Sequence, residues 1–227
     1  MRLGIFATGV FAATVGVVGT AHAQSSPTGI EIGFRTGYSL PMGNLEGATG
    51  GGSATAQGDV ISGVVPLWFD AGYRFNSHMM IGAFFQYGIA FLNTSANKPL
   101  AACAAGGVSC SGNDVMVGAQ FAYHIMPENS IDPWVAVGIG YESLNLNVSA
   151  DGQSSGGSFS GVQFFNIQAG GDYKVMPNLG IGPFLMMSFG QYSGCSVQGA
   201  SSCTIPAQDM HEWFTIGVRG AYDINLL

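Results

Sequence analysis

The sequence predicts an all-β protein: a closed, antiparallel, eight-stranded up-and-down β-barrel with its apolar face turned outward. Three observations predict it. Eight segments alternate apolar and polar residues with a period of two, the signature of strands with one apolar face. Only 8% of the chain is Asp, Glu, Lys or Arg, against roughly 25% in ordinary soluble proteins. The links between segments are alternately short and long, as in a meander with turns at one end and loops at the other.

The first element is an export signal. Residues 1–23 carry a single charge, Arg2, then a small-apolar run from Leu3 to Gly19, and close on Ala21-His22-Ala23. This small-x-small pattern predicts a cleavable signal peptide and a mature domain over 24–227, beginning at Gln24. No cysteine stands at the cleavage site, since the first is Cys103. Without Arg2 the six basic residues become five against thirteen acidic ones, a formal net charge of −8. A soluble surface needs more charge than that to stay dispersed. No mature stretch offers the ~20 uninterrupted apolar residues of a membrane-spanning helix; Val175 to Gly190, the nearest, contains Pro177, Asn178 and Pro183. Only helices and closed barrels satisfy their backbone hydrogen bonds in lipid, so the expected class is a transmembrane barrel.

The strands are expected near residues 29–40, 61–75, 78–92, 114–126, 132–146, 161–175, 179–191 and 211–226. In the first, Ile30, Ile32, Phe34 and Tyr38 oppose Glu31, Arg35 and Ser39; in the second, Val65, Leu67, Phe69, Tyr73 and Phe75 oppose Asp70 and Arg74. The fourth sets Val115, Val117, Phe121 and Tyr123 against Asp114, Gln120 and His124. The last sets Phe214, Ile216, Val218, Tyr222, Ile224 and Leu226 against Thr215, Arg219, Asp223 and Asn225. The fifth slips parity where Leu144 and Leu146 follow Val135, Val137, Ile139 and Tyr141, which a bulge or the membrane boundary would produce. Short links fall at Asn76-Ser77, Pro127 to Ile131 and Met176 to Asn178. The other four links are loops of roughly 15–20 residues rich in Gly, Ser and Ala, notably Gly47 to Gly58 and Ser149 to Gly161.

The charges decide which face is which. Arg35, Arg74, Lys174 and Arg219 lie on the polar parity of their strands, as do Glu31, Asp70, Glu142, Asp172 and Asp223. Too few charges remain to coat a soluble surface, so the apolar face is expected to meet lipid and the polar face to line a narrow lumen. Most strand glycines share the lumen parity, Gly171 and Gly220 excepted. Tyr73, Phe75, Tyr123, Tyr173 and Tyr222 are expected to form one aromatic girdle, and Tyr38, Tyr87, Phe91, Tyr141, Phe189 and Phe214 the other.

This architecture, carried by residues 29–227, resembles the small outer-membrane barrels typified by the transmembrane domain of outer membrane protein A and by outer membrane protein X. Gly220, Tyr222 and Ile224 match the glycine and spaced apolar residues that close such chains, while the final residue is Leu227 where the family often has an aromatic. The resemblance implies an integral protein of the bacterial outer membrane, with both termini in the periplasm and long loops outside. Its expected partners are outer-membrane lipid and the outer-membrane assembly machinery, with no nucleic acid and the chain a monomer. No motif names a ligand for the loops.

Lumen charges must pair or be hydrated. Directly opposed antiparallel residues have numbers summing to a constant, and Glu31 with Arg74 and Arg35 with Asp70 both sum to 105. One register would join both pairs, setting Ile32 opposite Tyr73 and Phe34 opposite Ala71. The expected network comprises Glu31, Arg35, Asp70, Arg74, Asp172, Lys174, Arg219 and Asp223, plugging the lumen of a barrel too narrow for a general porin. Cys103 with Cys110, and Cys195 with Cys203, read as two local disulfides in oxidised loops, with metal binding the weaker reading. His78 and His124 read as hydrogen-bonded structural histidines, with a metal or proton site as the alternative. No cofactor, resident metal or catalytic residue is expected: there is no His-x-Ser pair, and His211, between Asp209 and Glu212, has no serine placed nearby by sequence. The competing readings are an outer-membrane enzyme acting on the acyl chains of lipid and, third, a soluble ligand-binding barrel.

Overall fold

A computed structural model of the protein describes residues 28–95, 98–104, 106–199 and 202–225. The signal peptide expected over 1–23, and Leu226 and Leu227 of the closing strand, lie outside the described residues. Eight strands carry the fold: β1 (Gly29–Glu46), β2 (Ile61–Arg74), β3 (Met79–Leu92), β4 (Val108–His124), β5 (Ile131–Ala150), β6 (Gln153–Met176), β7 (Leu179–Val197) and β8 (Met210–Asn225). Each pairs antiparallel with its neighbours in chain order, and β1 pairs with β8 from Gly29↔Asn225 to Gly43↔His211. The ring is thereby closed and its ladder has no free edge over that height.

Three short turns gather at the end where β1 begins and β8 ends. In the β2–β3 turn the Asn76 side-chain carbonyl accepts from the His78 and Met79 N–H groups, each at 2.8 Å, an Asx turn. At the opposite end, a two-residue strand (Thr55–Ala56) pairs with β1 beside a single helical turn, α1 (Gln57–Val60). A 3₁₀ turn covers Ala101–Ala104.

The β5–β6 loop expected over 149–161 is instead ladder. Pairing continues from Tyr141↔Val162 to Ala150↔Gln153, leaving only Asp151 and Gly152 to turn. Both have positive φ, 51° and 76°, the conformation of a two-residue hairpin turn that Asp-Gly favours. β1, β4 and β7 also run past their expected ends. The 20-residue β5 therefore rises about 50 Å along the barrel axis at ~3.3 Å per residue and ~40° of tilt, whereas an apolar band is ~25 Å tall. β4 to β7 stand above the rest of the ring as a four-stranded wall.

The polarity of this wall inverts with height. Below it, Val135, Val137, Ile139 and Tyr141 of β5 are exposed, while Ala136 and Glu142 are buried. Above, the outward rows are Asn113, Asn145, Ser158 and Ser196, then Ser111, Asn147 and Gly156. The inward residues there are Leu144, Leu146, Phe159 and Cys195, packed with Tyr192 and Trp213. The parity slip at Leu144 is thus no bulge in β5: the β4–β5 register is continuous through it. It marks the height at which the medium outside changes from apolar to polar. The bulge of this region belongs to β6, where Phe164 and Phe165 both face outward.

Glycine sets how closely the strands pack below. A Cβ on Gly182 would fall on the backbone carbonyl of Gly171, whereas one on Gly220 would meet nothing within 4 Å. Gly182→Ala is therefore expected to cost about 1–3 kcal/mol and to lower the urea midpoint of the heat-shifted electrophoretic band. Gly220→Ala should leave that midpoint unchanged.

Candidate functional site

The inward parity of the strands stacks polar side chains in layers. Nearest the turns, the Arg219 guanidinium bridges two strands' acids, donating to Glu31 and to Asp172, the latter at 2.5 Å. Arg74 meets the other Glu31 oxygen at 2.7 Å and Asp223 at 3.3 Å. The His124 ring lies between Asp132 at 2.7 Å and Glu31 at 3.5 Å. Trp134 donates to Asp172 at 3.1 Å and offers its ring face to Arg219 at 4.6 Å. His78 sits at the rim, its Nδ1 bonded to the His124 carbonyl at 2.7 Å. Among the described residues no group of His, Cys, Asp or Glu is arranged to hold a metal ion.

The middle layer is centred on Arg35. It donates to Asp70 at 3.0 Å, to Gln120 at 3.2 Å and to Gln168, and lies 5.4 Å from the ring centroids of both Trp68 and Trp134. An amide relay follows, Gln168 to Asn166 and Asn166 to Gln163, each at 2.7 Å. At the loop end, Glu142 accepts from Tyr192 at 2.5 Å and Trp213 at 2.9 Å, and contacts His211 at 3.2 Å, with Tyr192 stacked on His211 at 4.0 Å. Gln86 donates to Asp114 at 2.7 Å. The gap lined by Ser39, Gln86, Asp114 and Thr215 leaves no room for a water molecule.

Both acid–base pairings of the first hairpin are present, but the expected register is not. Opposed residues sum to 103, with Ile30 facing Tyr73, Ile32 facing Ala71 and Phe34 facing Phe69. Glu31 faces Gly72, Asp70 faces Gly33 and Arg74 faces Gly29, so acid and base meet diagonally, two residues apart. Volume favours this at three of the four positions, since in a narrow lumen a long side chain fits opposite a glycine and a Cβ on Gly33 would collide with the Asp70 carboxylate; Arg35 instead lies opposite Trp68, against whose ring it packs. Lys174 differs from the expected network: it lies half-buried at the turn end and donates to the Pro127 carbonyl. Reading parity through charges placed Gln120 on the lumen face but missed Trp68, Trp134, Gln163, Asn166, Gln168, Tyr192 and Trp213. All face the lumen, and even spacing from a charge on the same strand would have disclosed Trp68, Trp134, Asn166, Gln168 and Trp213, whereas the β6 bulge shifts Gln163 and β7 carries no charge to mark Tyr192.

An apolar cap lies over these layers. Leu45 at the end of β1, Val60 of α1 and Ile205 are buried with Ile61, Leu144 and Trp213. The loops are tied across the mouth: Asn93 donates from its backbone to Val60 and from its side chain to Gly58, both at 2.8 Å, and Lys98 meets Asp59 at 2.5 Å. Asn44 donates to Asp209 at 2.8 Å. With the Met210 N–H, it holds that exposed carboxyl below the usual range. Cys103–Cys110 and Cys195–Cys203 are disulfides. Cys110 lies where β4 overhangs β3, whose pairing stops at Ala90↔Gly112, and Cys195 where β7 overhangs β8, whose pairing stops at Gln191↔Met210. Each bond fastens loop chain beside an otherwise free strand edge.

A closed ring, an apolar outer belt with aromatics at its borders, and charges turned to the lumen at the height of that belt define an integral β-barrel protein of the bacterial outer membrane. Outer membrane protein AlkL, solved by solid-state NMR in DMPC lipid bilayers, is similar to this chain: TM-score 0.51, 16% identity, with 93% of this chain and 98% of that one covered. A major outer membrane protein from Thermus thermophilus is also similar, with TM-score 0.50, 12% identity and coverages of 86% and 99%. At these identities the likeness is one of fold. No protein-family model matches the chain, and no curated protein sequence does.

The buried pairs predict their own mutant series. Arg35→Ala strands Asp70 in the lumen and should destabilise by about 3–5 kcal/mol, whereas Arg35→Met with Asp70→Leu should recover most of that loss. Urea unfolding in lipid vesicles measures both.

Proposed function

We propose that this protein is a non-enzymatic outer-membrane barrel whose lumen is plugged, anchoring the envelope and presenting its raised wall and loops to the outside. The observation that carries this reading is the continuity of filling. Bonded side chains occupy the lumen from the Glu31–Arg219 layer to Glu142 and Tyr192, with the apolar cap of Leu45, Val60 and Ile205 above. Filling of this kind among the described residues favours a barrel closed to solutes, and the arginines are held by acids on several strands, so clearing it would break several buried pairs together. A lipid-modifying activity would need a histidine and a nucleophile reaching an acyl chain. Here His124 and His211 are buried and turned to carboxylates within the barrel, which favours the non-catalytic reading.

Orientation is tested with introduced thiols, a clean background because no described cysteine is free. Asp151→Cys at the wall's tip should react with a membrane-impermeant maleimide on intact cells, and Asn129→Cys in the β4–β5 turn only after the envelope is opened. Labelling of Asn129→Cys on intact cells would reverse the topology. In planar bilayers the wild type should show no steady conductance; sustained single-channel steps would refute the plug.

A further inference from the structure

The outward face of the raised wall is neither apolar nor charged. On β4, β5, β6 and β7, from Asn113, Ser143, Ser160 and Gln191 upward, its side chains are Ser, Asn and Gln with intervening glycines, and no Asp, Glu, Lys or Arg. A face needed only for solubility would ordinarily carry mixed charges; this chain places none there. The face starts directly above the lipid belt. On β5 the last outward apolar residue is Tyr141, 49% exposed, and the next outward residue is Ser143. On β6 the same step runs from Val162 to Ser160. The rows are in register across strands, Asn113–Asn145–Ser158–Ser196 forming one continuous line. Most of these groups keep their bonding capacity for an outside partner: among the described pairs, Ser149 bonds Ser154 at 2.8 Å and Asn145 donates to the Ser143 carbonyl at 3.3 Å.

From this placement we propose that the wall's outer face binds the neutral saccharide headgroups of outer-leaflet glycolipids whose acyl chains lie on the belt beneath. Serine hydroxyls and asparagine amides both donate and accept, matching the alternating donors and acceptors of sugar hydroxyls. Tyr141 at the border offers a ring of the kind that sits at the headgroup level. The occupant is set by continuity with the lipid interface: a molecule whose tails contact Ile139 and Tyr141 carries its headgroup to the height of Ser143 and Asn145. An anionic headgroup would find no cation on this face. The inference rests on the loop end facing the outer leaflet in the cell, but its test does not.

The wild-type protein is reconstituted in nanodiscs of phosphatidylcholine containing a minor fraction of digalactosyldiacylglycerol, a neutral disaccharide lipid, or of phosphatidylglycerol. The lipids retained on the protein are then counted by native mass spectrometry. Both leaflets are alike there, so the result is independent of cellular topology, which the thiol labelling decides separately. The galactolipid should be retained about fivefold above its share of the bilayer, the effect of one or two net hydrogen bonds, and phosphatidylglycerol should not be enriched. Asn145→Ala with Asn147→Ala and Ser158→Ala should abolish the enrichment while keeping the heat-shifted band; Asn129→Ala at the turn end should leave it intact. Should the triple variant lose that band, Asn147→Ala alone, at an exposed position, must still lower retention. Galactolipid retained at its bulk share by the wild type, or undiminished in folded variants, overturns the proposal.

Discussion

Closure of the backbone ladder is the constraint on which the rest depends. In hydrocarbon an unpaired N–H or C=O costs several kcal/mol, so the sheet must end by meeting itself, here along the β1–β8 ladder. Closure around eight strands makes a narrow interior, and alternation along each strand then sends every second residue into it. Three arginines cannot stay there alone. Glu31, shared between Arg74 and Arg219, and Asp70, paired diagonally with Arg35, answer the same confinement from different strands.

Confinement explains the glycines as well as the charges. In the first hairpin Glu31, Asp70 and Arg74 each stand opposite a glycine, and Arg35 opposite Trp68, rather than opposite the ionic partner. The salt bridges form diagonally, and the lipid face gains the Phe34–Phe69 contact, with centroids 5.1 Å apart. Above the belt the constraint relaxes. Water outside and apolar cap inside reverse the preference of each parity, and the overhanging edges of β4 and β7, no longer sealed by the ring, are held beside disulfide-bonded chain.

Strand number, order and facing were legible in the sequence, because a one-sided environment writes a period of two into every strand. The diagonal register was not: matching charges across Glu31–Arg74 and Arg35–Asp70 identifies partners but ignores volume, and glycines oppose three of these four side chains while Trp68 opposes Arg35. The wall was half legible. Leu144 and Leu146 broke parity visibly, yet low-complexity Ser, Gly and Asn read as loop until Asp151-Gly152 proved to be a tight hairpin turn. The Glu142–Tyr192–His211–Trp213 cluster was the least legible. Its members come from three strands, and only the ring brings them together.

The inversion of faces along β5 is the account's central claim. Spin labels placed singly at outward positions 135, 137, 139, 141, 143, 145 and 147 of the bilayer-reconstituted protein test it most directly, through their relaxation by oxygen and by a water-soluble nickel complex. The account predicts oxygen-dominated relaxation through Tyr141 and nickel-dominated relaxation from Ser143 onward, with the change falling between those two. Nickel access at Val137 and Ile139, or oxygen-dominated relaxation extending through Asn147, would contradict it.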